Sequence, residues 1–134
     1  MATSVEVTDG MKKKDKRFKF FEVPILNTEY KIYVYVGDKV KANKEICKYL
    51  EKKGDFIDDA NRGKSVYHRG FHPCSWIDGT LDYKTATATI AHEAIHATAH
   101  IMDYLGMDMR DWSGGEFLAH SVAAVLRAVL PDKL

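Results

Sequence analysis

"TIAHEAIHATAH", Thr89 to His100, decides how the rest of the chain is read. It holds three of the six histidines, His92, His96 and His100, four residues apart, with Glu93 directly after the first. Residues four apart return to one face of an α-helix, a turn further on. The segment from about Thr85 to Leu105 contains neither Pro nor Gly, and Gly106 follows as a natural C-terminal stop. Thr89, Ile90, Ala91, Ala94, Ile95, Ala97, Thr98 and Ala99 surround the histidines and leave almost no charged face. A helix apolar nearly all round is expected to be buried, and buried imidazoles need polar partners.

Working outward, "SGGEFLAHSVAAVLRAVL" after a short loop reads as a second strong helix, ended by Pro131. Upstream, "EYKIYVYVGD" alternates Tyr30, Ile32, Val34 and Val36 with Lys31, Tyr33 and Tyr35, the period of a strand. "RFKFFEVPIL" precedes it across a turn at "LNTE", which predicts a hairpin with Pro24 on an edge or at a bend. "KANKEICKYLEKKG" carries Ile46, Tyr49 and Leu50 at helical spacing, with Gly54 as its stop. "DFIDDANRGK" reads as a polar loop. "SVYHRGFHPCSWIDG" reads as extended chain broken by Gly70 and Pro73 and closed by a turn at Asp78-Gly79. Strands, a helix, a strand and then two helices predict an α+β fold: an N-terminal antiparallel sheet and two adjacent C-terminal helices.

The chain's 134 residues suit one domain, here residues 18–134, behind a basic arm at 1–17. Twenty basic against nineteen acidic residues leave a formal charge of +1, which argues for neither nucleic acid nor an acidic partner. "KKKDKRFK", Lys12 to Lys19, is the local exception: a solvated arm, or a docking patch for phosphate or an acidic surface. No apolar run has the length of a signal peptide core or approaches the roughly 18 residues that span a membrane. Cys47 and Cys74 fit reduced thiols, so a cytoplasmic protein is expected.

"HEAIH", His92 to His96, matches H-E-x-x-H. Two imidazoles a turn apart can reach one Zn²⁺. Glu93 lies about 100° round from His92, outside that arc but within reach of a water at the metal, the place of a general base. His100 and Asp103 continue the face, but His92 and His100 stand about 12 Å apart along the axis. Zinc ligands lie only about 2.0–2.2 Å from the ion, so a straight row of three cannot converge. His100 is left to line the cleft or support a ligand.

A third ligand is expected from the next helix, where Glu116 and His120 share a face. Glu116 is the first choice, with His120 orienting a ligand or meeting substrate; the inverse assignment stays open. So does a reading without metal, because "SGGE" is S-x-x-E, with Ser113 as N-cap and Glu116 closing a capping box.

With these residues in view, the chain resembles the gluzincin branch of the zincin metallopeptidases, which pair H-E-x-x-H with a glutamate on the following helix. Glu116 lies twenty residues after His96, the spacing of thermolysin-type enzymes. The resemblance spans about Thr85 to Leu130 and implies a zincin-like core, His92, His96 and Glu116 as zinc ligands, and Glu93 as base. It also implies an edge strand before the motif helix on which a peptide lies; "HPCSWID", His72 to Asp78, is the candidate. Gly115 and His120 stand where those enzymes carry asparagine and aspartate, and only 14 residues follow His120, so the far wall of their cleft is missing. Tyr67, His68, His72 and Tyr104 are candidate donors to substrate.

The expected function is a zinc-dependent hydrolase, a small metallopeptidase acting on a peptide or protein substrate. The alternatives are a non-catalytic binding or inhibitory protein on the same scaffold, and a metal-free helical module whose basic arm meets nucleic acid.

Overall fold

The computed structural model describes residues 18–130; the expected arm at 1–17, Pro131 and the last three residues lie outside them. The elements run β1 (Lys19–Pro24), β2 (Lys31–Gly37), α1 (Lys39–Leu50), β3 (Gly63–Val66), β4 (Cys74–Asp78), α2 (Tyr83–Leu105) and α3 (Trp112–Val129). The class is α+β, as expected. The sheet is mixed, not purely antiparallel, in the order β1-β2-β4-β3. The predicted hairpin forms: β1 pairs antiparallel with β2, and Pro24 sits on an edge strand opposite Lys31. β2 then pairs in parallel with β4, from Tyr33 opposite Cys74 to Gly37 opposite Asp78. Short β3 closes the sheet antiparallel to β4.

The alternation in β2 builds a core on each side. Ile32, Val34, Val36 and Ile77 pack with Ile90, Ala94, Ala97 and Ile101 of α2 and Val125 and Val129 of α3. On the other face Tyr35, Cys74 and Trp76 pack with Ala42, Ile46 and Leu50 of α1. β2 and β4 are interior strands covered on both faces, which is why Tyr35 and Trp76 are as buried as Val34 and Ile77. The "polar loop" at 55–64 is only partly that. Ile57 is fully buried in the second core, and its last two residues, Gly63 and Lys64, begin β3.

Helix limits follow local chemistry. Asp38 caps α1, its carboxylate accepting the Lys41 N–H at 3.0 Å. The stop of α1 is Glu51, in the left-handed region at φ 56°, three residues before the expected Gly54. Asp82 caps α2 through the Thr85 N–H at 2.7 Å, and Gly106 ends it at φ 74° as expected. Among the described residues no helix is long and apolar enough to cross a membrane.

Candidate functional site

α2 carries the motif, and its phase is set by what it packs on. Ala86, Ile90, Ala94, Ala97 and Ile101 face the sheet and α3. The helix is therefore not buried all round: His92, Ile95 and His96 are exposed. One sheet face and one neighbouring helix cover only part of its circumference, so the apolar Ala and Ile around the motif do not bury the imidazoles.

His92 and His96 turn towards one another, their Nε2 atoms 3.1 Å apart and their rings edge to face at 4.6 Å. Two imidazole nitrogens on one tetrahedral ion, each about 2.0–2.1 Å away, stand roughly 3.3–3.4 Å apart. The pair therefore fits two ligand positions of one ion; the same geometry also suits an N–H of one ring donated to the other. The rest of the expected set does not assemble. Among the described residues no three His, Cys, Asp or Glu side chains come together to hold a metal.

Glu116 stands instead 3.5 Å from His120 on its own helix, both side chains about half or more exposed. The reason lies two residues earlier. Gly114 is buried, and a Cβ there would fall 1.9 Å from the Asp108 carbonyl oxygen, so this edge of α3 is pressed onto the loop from α2. Two residues on, Glu116 points about 200° away from that contact. The capping box does not form either. The N-cap is Asp111, without a side-chain cap bond, and Ser113 lies inside the helix. His120 helps line a groove with Leu26, Leu105 and Phe117 at the β1–β2 turn.

Glu93 is buried at 6% exposure, beneath β3. Its carboxylate Oε1 accepts the Ser65 hydroxyl at 2.8 Å, and Ser65 Oγ lies 2.7 Å from Ser75 Oγ on β4. Ser65 and Ser75 are register partners, so both hydroxyls reach the α2 face together. Gly63 lets the strand come down: a Cβ would stand 2.8 Å from Thr89 Cγ2 and 3.2 Å from Glu93 Cγ. Beside it opens a cleft of about 510 Å³ lined by Arg62, Gly63, Thr85, Ala88, Thr89, His92 and Glu93. The free edge above the motif helix is thus β3. The expected edge, His72 to Asp78, mostly forms β4, which has a neighbour on each side.

The remaining candidates divide in two. His100 stacks on Tyr67, ring centroids 4.4 Å apart and nearly parallel. Burial holds the His100 imidazole below its ordinary pKa, with Asp103 working the other way. Burial, then the nearby Glu93 charge, pushes the Tyr67 phenol up to about 12, so it stays a donor at neutral pH. Tyr67 thus lies near Glu93, and His100 lies against Tyr67. The others have structural partners. His72 Nδ1 accepts the Lys31 backbone N–H at 3.1 Å, His68 packs edge-on to Phe56, and Tyr104 packs edge-on to Tyr30.

No family model, curated protein or solved structure matches the chain. What the site does is therefore argued from its own residues. Sequence reasoning passed over Ser65, Ser75 and Gly63. Gly63 and Ser65 fall either side of the boundary drawn between loop and extended chain, and a two-residue alternation in a four-residue strand carries little signal.

Proposed function

We propose that the protein is a small zinc-dependent hydrolase that cleaves a peptide or amide bond, with His92 and His96 holding the metal and Glu93 as general base. The observation that carries the reading is the convergence of the two Nε2 atoms, 3.1 Å apart, with His92 and Glu93 lining one cleft. Zn²⁺ supplies Lewis acidity towards water and a carbonyl group when bound. Glu93 accepts the proton of the attacking water and returns it to the leaving amine. The Tyr67 hydroxyl, protonated at neutral pH, is a donor for the carbonyl oxygen, and β3 offers an extended substrate a free edge. The two unpaired thiols, Cys47 and Cys74, accord with a reducing, cytoplasmic setting.

Elemental analysis and a peptide-library assay test this. The wild type is expected to hold stoichiometric zinc, His92→Ala or His96→Ala to lose it, and Glu93→Gln to keep zinc while losing turnover. Full activity in Glu93→Gln would sink the mechanism. Glu116→Ala and His120→Ala are expected to retain zinc, because both residues stand with each other on α3; loss in either names it as the third ligand.

A second reading is a binding or inhibitory protein that uses the free β3 edge without catalysis. The absence of a three-residue ligand set among the described residues favours it. No hydrolysis across the library, together with a stable complex on an extended peptide, would select it.

A further inference from the structure

We propose that Ser65 and Ser75 form a two-hydroxyl relay that fixes the Glu93 carboxylate, with Ser65 as the positioning residue and Ser75 setting the direction of its proton. The inference rests on the reading of Glu93 as the general base. Its structural part can be tested without it.

Counting protons gives the direction. Ser65 Oγ owns one hydrogen and lies within bonding distance of three acceptors: Glu93 Oε1 at 2.8 Å, the Glu93 backbone oxygen at 3.1 Å and Ser75 Oγ at 2.7 Å. A hydroxyl bond to a carboxylate is stronger than one to a neutral oxygen, and it is also shorter here than the bond to the backbone oxygen. The Ser65 proton therefore goes to Oε1. Ser65 Oγ then has only lone pairs left for Ser75, so Ser75 must be the donor of that bond. Ser75 is 2% exposed, and a buried hydroxyl left without an acceptor is costly. The order is Ser75 O–H to Ser65 Oγ, and Ser65 O–H to Glu93 Oε1.

The scaffold makes this arrangement specific. Ser65 and Ser75 face one another across an antiparallel register, on two adjacent strands above α2. Gly63, two residues before Ser65 on the same strand face, admits the helix close enough for the bond to form. A glutamate side chain free at this point would sample several rotamers. Tied at one oxygen, it keeps one position beside the cleft, with the second oxygen left to take a proton. A base held in place before substrate arrives loses no orientation entropy on reaction.

The test uses the full chain and the variants Ser65→Ala, Ser65→Thr and Ser75→Ala. Glu93 rotamer averaging is read from side-chain three-bond couplings by NMR, with zinc content measured alongside. Wild type and Ser65→Thr are expected to show one Glu93 rotamer, Ser65→Ala an averaged set, and Ser75→Ala a smaller loss of order, all with unchanged zinc. Where turnover is measurable, Ser65→Ala should lower kcat roughly 10-fold or more at constant KM, with rescue by threonine. A single fixed rotamer in Ser65→Ala, failure of threonine to restore it, or a larger effect from Ser75→Ala would overturn the relay. Failure of the hydrolase reading shows differently, as absent zinc or absent turnover in the wild type, and leaves the rotamer result standing.

Discussion

At His72, Nδ1 takes the Lys31 N–H at 3.1 Å, while the residue's own backbone N–H goes to the Tyr49 hydroxyl at 2.8 Å. A protonated Nδ1 cannot accept, so this junction needs the neutral ring. Burial, helped by the Lys31 charge, holds its pKa below the ordinary value of 6.5. With the folded pKa depressed, the unfolded chain binds the proton first. Stability from this group is present above about pH 6.5 and falls away as the pH drops below that. His100 shifts in the same direction and adds to it. In His72→Asn the side-chain oxygen can accept the Lys31 N–H but does not titrate. Urea unfolding at pH 7 and pH 5 should show a smaller acid loss for His72→Asn than for wild type, with the His100 share remaining. At this scale the sequence was informative where chemistry comes with spacing, as in His92, Glu93 and His96. It was silent on Ser65 and Ser75, because two serines on different strands have no pattern until the register brings them opposite one another.

Helices show what periodicity can and cannot carry. The limits of α2 and α3 lie within about two residues of those expected, since a run free of Pro and Gly ends at Gly106 and Pro131 follows the second helical pattern. The rotation of α3 was not legible, because a close approach at Gly114 sets it, and that depends on where Asp108 lies. Expecting Glu116 to join His92 and His96 assumed a phase that this contact does not give. Gly114→Ala should force the backbone apart and destabilise the fold by about 1–3 kcal/mol in chemical unfolding. The end of α1 points the other way. Glu51 takes a left-handed conformation, φ 56°, that side chains with a Cβ resist. Glu51→Gly should raise stability by about 1 kcal/mol or less; a loss of stability would mean its side chain holds something that the backbone angle does not reveal.

Across the whole molecule, a single sheet serves two cores. Trp76, at 2% exposure, packs on the α1 side and donates its indole N–H to the Gly37 carbonyl at 2.9 Å. Ile77, the next residue, packs on the α2 side. Damage to either core should therefore reach both. Trp76→Ala is expected to cost about 3–5 kcal/mol and to lower the unfolding midpoint of the motif helix together with the rest. On the proposed reading, zinc binds only the folded pair, so 100-fold excess over its Kd should add about 2.7 kcal/mol and raise Tm, and a chelator should reverse it. The fold class was readable from the order of elements. The parallel pairing of β2 with β4 was not, since nothing local in either strand says which partner it will find across a helix and a loop.

That pairing also sets a folding order. The β1–β2 hairpin closes over a few residues, but the Lys31–His72 bond joins positions 41 apart in sequence. Non-local closures of this kind are slow compared with hairpin and helix formation. Until β4 docks on β2, the hydrophobic side of α2 has no complete sheet to rest on, and Ser65 has no Ser75 opposite it. The paired imidazoles, being one turn apart on a single helix, can meet much earlier. The histidine pair is thus a local contact within one helix, whereas the Glu93 anchor is complete only once three separate elements, β3, β4 and α2, have come together.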